Sequence, residues 1–212
     1  MKKMNLPNKI TVARIILSII LLVFLMIPWD QLGVQFKTFT VAGKIIVDIK
    51  YIIAGVVFMI ASLTDFLDGN IARKRNLVTD FGKVMDAIAD KLLVNGLLII
   101  LAYEGFISVA IPVIIITRDT FVDSIKMASG NKGKVVGASI AGKAKTVCMM
   151  VGLTLLLFYN LPFEIFNFRL DMILIYLATV LSVFSGCQYY YNAKDLIFKD
   201  LINSLFLMIS FA

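Results

Sequence analysis

The 212-residue sequence contains no histidine. That removes Ser-His-Asp and Cys-His nucleophilic catalysis and any His-ligated zinc site. Chemistry must therefore run on Asp, Glu, Lys, Arg, Tyr, Ser or Thr. Cysteine is scarce: Cys148 and Cys187 both fall inside apolar runs and read as small buried hydrophobes, not as a disulfide or a metal site. The chain also lacks internal repeats, low-complexity linkers and the short alternating segments of a β-barrel. Nor does a small-residue cleavage site follow the apolar stretch after Lys2 and Lys3, so that stretch is expected to be a membrane helix and not a leader.

Apolar residues are abundant. The chain is 60% hydrophobic, against about half in a soluble domain. These residues form long runs, several of them near the roughly 20 residues that a bilayer-spanning helix needs. Six spans are expected, at Ile10–Ile27, Tyr51–Ile71, Gly82–Tyr103, Ile107–Ala128, Ala141–Tyr159 and Asp171–Tyr191. The fold class is all-α: a polytopic membrane domain over residues 1–199 with short connectors. Residues 200–212 follow as an apolar tail too short to span, expected to lie at the interface.

The formal net charge is +7, and its Lys and Arg sit between apolar runs. This favours membrane orientation and phosphate-rich ligands over nucleic acid. Lys2, Lys3 and Lys9, Arg73 to Arg75, Lys126 to Lys145, and Lys194 with Lys199 all fall on one side of a six-span chain. By the positive-inside rule that side is cytoplasmic and carries both termini.

The informative stretch is Ser62–Leu93, with Asp65, Asp68, Asp80, Asp86 and Asp90. A charge at membrane depth costs about 3 kcal/mol on insertion scales and marks a functional site by default. On a helix, Asp65, Asp68, Gly69, Ala72 and Arg73 share one stripe, and Gly82, Asp86 and Asp90 share another. A short connector makes the two helices antiparallel neighbours, so the stripes can face each other. Clustered carboxylates repel, and a hard divalent cation such as Mg²⁺ relieves that while binding substrate phosphates. Arg73 suits a pyrophosphate oxygen. On spacing alone, a solvated helix end remains open, with Asp86 and Asp90 pairing to Lys83 and Lys91.

The pattern D-x-x-D-G-x-x-A-R, eight residues, then G-x-x-x-D-x-x-x-D resembles the signature of the CDP-alcohol phosphatidyltransferase family. All eight positions are matched: Asp65, Asp68, Gly69, Ala72, Arg73, Gly82, Asp86 and Asp90. The resemblance implies Mg²⁺ (or Mn²⁺) held by Asp65, Asp68 and Asp86 with a share for Asp90. It implies Asp90 as general base, and Gly69, Ala72, Arg73, Thr79 and Gly82 in contact with the CDP-lipid. The expected reaction is attack by an alcohol on the lipid-side phosphorus of CDP-diacylglycerol, releasing CMP, in an enzyme that is often a homodimer. One departure stands out: relatives usually read D-P-x-A-D, where this chain has Ala87.

Two further segments bear on the acceptor. Asn8, Thr11 and Arg14 match an N-x-x-T-x-x-R start like that of bacterial phosphatidylglycerophosphate synthases, which adds Asn8 and Thr11 to the CDP-lipid contacts. The same resemblance covers Thr117-Arg118-Asp119 and the later Ser139, Gly142, Lys143, Lys145 and Thr146. A basic cluster of Arg118, Lys134, Lys143 and Lys145, with Ser139, suits an acceptor that bears its own phosphate, such as sn-glycerol 3-phosphate. Inositol phosphate, inositol and serine are the rival acceptors. A cation-coupled transporter is the rival class, but it gives no reason for Gly69, Ala72 and Arg73 beside the carboxylates.

Overall fold

The computed structural model describes the backbone of residues 6–74, 80–130 and 140–210, and side chains at 8–65, 82, 84–127, 129–130 and 140–194. Among the described residues six long helices dominate: α1 (Leu6–Met26), α2 (Ile49–Lys74), α3 (Asp80–Tyr103), α4 (Ala110–Gly130), α5 (Ile140–Leu157) and α6 (Leu170–Ser210). They coincide with the six apolar runs to within a few residues at most ends. The exception is α6, which continues unbroken to Ser210. Residues 192–200 hold no glycine or proline to stop it.

α1 packs on α2 and α3, α5 on α6 and α2, and α4 on α6 and α3. The core between them is apolar, with Phe58, Leu97, Leu98, Ile115, Leu153 and Ile175 wholly buried. Small residues let the helices close. A Cβ on Gly96 would sit 2.5 Å from Leu22 Cδ1, so the Leu22 side chain of α1 packs directly on the backbone of α3. The outer faces are also apolar: Ile16, Ile20 and Met26 on α1 and Val180 and Phe184 on α6 are each more than half exposed. Such surfaces suit lipid, not water.

Among the described residues, three helices are long and apolar enough to cross a membrane: Asn8–Met26, Ile140–Leu157 and Leu170–Lys194. α2, α3 and α4 are long enough but carry several charged residues each, including Asp65 and Asp68, Asp86 to Lys91, and Arg118, Asp119 and Asp123.

The expectation of short, strand-free connectors is corrected between α1 and α2. Thr38–Val41 (β1) and Ile45–Asp48 (β2) form an antiparallel hairpin, with Thr38 opposite Asp48 and Val41 opposite Ile45. Ala42 and Gly43 take the positive φ (51° and 68°) that suits a tight hairpin turn. The hairpin is docked by buried Val47 and by the Asp48 N–H, which donates to the Tyr159 hydroxyl at 3.1 Å. Aromatic residues gather at this end of the bundle, with Tyr51, Phe106 and Tyr159 edge to face. The aspartates of α2 and α3 lie toward the other end of their helices.

Candidate active site

α1 presents Asn8, Thr11, Arg14 and Ser18 inward, all nine-tenths or more buried. Spacings of three and four place them on one stripe. Buried polar groups need partners, and two of these meet the aspartates. Thr11 Oγ1 donates to Asp86 Oδ1 at 2.6 Å. Arg14 Nη2 donates to the same oxygen at 3.0 Å, while its Nη1 pairs with Asp65. Ser18 donates back to the Arg14 carbonyl at 2.8 Å. A single buried guanidinium therefore joins a carboxylate of α2 to one of α3. Arg14 is 2% exposed, whereas Asp65 and Asp86 are 40% and 46% exposed, so the carboxylates keep open faces.

A second cluster lies alongside. Asp90 and Asn95 of α3, Asp119 of α4, and Lys145 and Thr146 of α5 line one small cleft. Asp119 is its organiser: Lys145 Nζ donates to both carboxylate oxygens, at 2.6 and 2.8 Å, and Arg118 Nη1 donates to Oδ1 at 2.8 Å. Lys145 is a buried cation held by a charge-assisted pair, the strong form of hydrogen bond. Lys91, beside Asp90, pairs with Asp123 across α3 and α4.

An apolar groove adjoins this cleft. Met59, Leu63, Val147, Val151 and Leu155 line it between α2 and α5, with Asp65 among its walls. Thr146 and Met150 line both the groove and the cleft, so the two lie side by side.

Not all the expected site residues can be placed. The side chains of Asp68, Gly69, Ala72 and Arg73 on α2, and Thr79 and Ser139 beyond the helices, lie outside the described residues. Gly82 is buried on α3, and Lys143 is exposed on α5, pointing away from Lys145. Among the described residues, no three carboxylates gather closely enough to hold an ion. Asp65 and Asp86 nonetheless converge on one cation, and their all-oxygen donor set fits a hard divalent ion. Sequence reasoning gave Arg14 no role of its own. The signal that could have found it is the spacing of polar residues along an otherwise apolar helix. Ser185, which accepts from Arg118 Nη2, carried no signal at all.

Apolar helices surrounding a buried arginine and a buried lysine, each paired with aspartates, define a helical membrane protein with a polar site inside its bundle. The chain belongs to the CDP-alcohol phosphatidyltransferase family, which it matches over residues 4–184. It is 38% identical over 186 residues to the CDP-diacylglycerol–glycerol-3-phosphate 3-phosphatidyltransferase of Bacillus subtilis, covering 88% of this chain and 93% of that one. The same-named enzyme of Mycoplasma genitalium is 34% identical over 196 residues, covering 88% and 83%. The fold resembles the crystal structure of Mycobacterium tuberculosis phosphatidylinositol phosphate synthase with CDP-DAG bound. The TM-score is 0.54 at 22% identity, over 87% of this chain and 84% of that one.

Proposed function

We propose that this protein transfers the phosphatidyl group of CDP-diacylglycerol to sn-glycerol 3-phosphate, giving phosphatidylglycerophosphate and CMP. The observation that carries this reading is the shared wall of groove and cleft. A lipid-soluble donor and a water-soluble, anionic acceptor must meet, and Thr146 and Met150 border both an apolar slot and a polar pocket holding Lys145. The relatives named for this reaction support the choice of acceptor.

The acyl chains lie in the groove between α2 and α5, which keeps them out of water. The CDP-lipid's pyrophosphate then falls beside Asp65, with Asn8, Thr11, Gly82 and the Gly69–Arg73 stripe around its CDP portion. Asp65, Asp68 and Asp86, with a share from Asp90, would hold a divalent metal such as Mg²⁺, and that ion would supply positive charge against the donor's phosphates. Lys145, flanked in sequence by Lys143 and Ser139, supplies positive charge for the acceptor's own phosphate. Asp90 faces the same cleft and takes the proton of the attacking hydroxyl. The acceptor oxygen forms a new bond to the phosphatidyl phosphorus, and the bond to CMP breaks, CMP leaving with the electron pair.

The six helices form six spans, with both termini and the active site on the cytoplasmic side, and the protein works as a homodimer. α2, α3 and α4 complete the count because the described charges Asp65, Asp86, Lys91, Arg118, Asp119 and Asp123 are paired with other charged groups, which lowers their cost at membrane depth. Mass spectrometry of the lipid formed from CDP-diacylglycerol and each acceptor tests the reaction. Phosphatidylglycerophosphate is expected. A phosphatidylinositol phosphate product would keep the chemistry and replace the acceptor.

A further inference from the structure

Arg118 does not line the cleft that holds Asp90 and Lys145. Its side chain runs toward α6 instead. Nη2 donates to Ser185, a wholly buried residue, and Nη1 donates to Asp119. Nε is sealed from solvent without a hydrogen-bond partner. The Tyr189 ring lies over the guanidinium, 5.9 Å from its centroid. Gly186 provides the passage: a Cβ there would stand 3.0 Å from Arg118 Cγ and 3.4 Å from Nε. The guanidinium is thus seated by α6 on one side and committed to Asp119 on the other.

We infer that Ser185 and Gly186 of α6 are positioning residues for the acceptor, acting through Arg118 and Asp119 on Lys145. The physical reason is geometric. Asp119 receives the Lys145 ammonium on both oxygens, which fixes where that positive charge stands beside Asp90. A carboxylate held by one partner can swing about its χ angles. One held also by a forked, preorganised guanidinium cannot. Arg118 can hold Asp119 only while its own far end is anchored, and Ser185 is the anchor. A buried guanidinium without that anchor would lose a charge-assisted bond and gain rotational freedom. α6 thereby sets acceptor affinity without touching the acceptor. This rests on the reading of Lys145 as the acceptor-phosphate residue.

The test is steady-state kinetics of the full-length enzyme in detergent, with Ser185→Ala, Gly186→Ala, Arg118→Ala and the two double variants on Arg118→Ala. Ser185→Ala removes one oxygen, so it retains the fold even if Gly186→Ala does not. Each α6 variant is expected to raise KM for glycerol 3-phosphate by roughly three- to tenfold: Ser185→Ala removes the anchoring hydrogen bond and Gly186→Ala crowds the Arg118 side chain, and either change reaches Lys145 only indirectly, which attenuates it. The kcat and the KM for CDP-diacylglycerol stay within about twofold, the tolerance of independent sites. On the Arg118→Ala background neither α6 change adds anything, since the group it seats is gone. Full additivity there, or an equal effect on both substrates, overturns the proposal. Lys145→Ala separates the two levels. If it leaves the acceptor KM unchanged, the acceptor site itself is misplaced and the seat falls with it. If it raises that KM while Ser185→Ala does not, the acceptor reading stands and the seat alone is wrong.

Discussion

Arg14 and Asp86, 72 residues apart, are joined at 3.0 Å by a guanidinium that also pairs with Asp65. The first helix therefore reaches into the proposed active site. It sets the separation of two carboxylates contributed by α2 and α3. A lysine in its place keeps the charge but offers one point where two are needed. Arg14→Lys should lower kcat by roughly tenfold or more, equivalent to about 1.4 kcal/mol, while the thermal midpoint moves only a few degrees. Unchanged turnover would reduce the ion pair to packing.

Asp90→Asn should abolish CMP release yet leave CDP-lipid binding largely intact. The amide keeps the shape and cannot accept the proton. Isothermal titration with a soluble CDP-lipid analogue reads the binding. If binding is lost with turnover, Asp90 acts as a ligand and not as the base.

Chelation of divalent metal should stop CMP release, and added Mg²⁺ should restore it. Asp65→Asn and Asp86→Asn should each raise the metal concentration needed for half-maximal rate, because each removes a hard oxygen charge from the same site. Turnover that survives a chelator would refute the metal assignment.

Filling the groove should act on the donor alone. Val151→Trp places bulk between α2 and α5, where Met59, Leu63 and Leu155 also line the slot. The KM for CDP-diacylglycerol should rise, and that for a short-chain CDP-lipid should rise less. Equal rises would place the acyl chains elsewhere.

Tyr159→Phe removes the hydroxyl that accepts from the Asp48 N–H and ties the hairpin to the end of α5. The loss should cost about 1 kcal/mol, seen as a lower thermal midpoint without a change in either KM. A shift in KM would tie the hairpin to the site.

Much of this architecture was legible in the sequence for one reason: lipid-facing helices must be apolar over a fixed length. That constraint located all six helices, with α2 expected over Tyr51–Ile71 and found at Ile49–Lys74. It did not give the end of α6, because a helix can run on past an apolar stretch where no glycine or proline interrupts it. The β-hairpin escaped for a related reason. TFTV and IIVD are four-residue strands, too brief for periodicity, and only Gly43 between two β-branched runs announced the turn. The aspartates were legible because their spacing shares a helix face. The partner of Arg14 was not, since a contact across 72 residues leaves no mark in local spacing. Arg118 shows the same limit: composition marked it as a cation near the acceptor, but only packing against Gly186 and Ser185 shows that it faces α6.

The central claim is tested most directly by CMP release from CDP-diacylglycerol in the presence of Mg²⁺, with glycerol 3-phosphate, serine, inositol and inositol phosphate compared as acceptors. Release with glycerol 3-phosphate alone is expected. Release with another acceptor and not with glycerol 3-phosphate, or none with any acceptor from a folded protein, would contradict it.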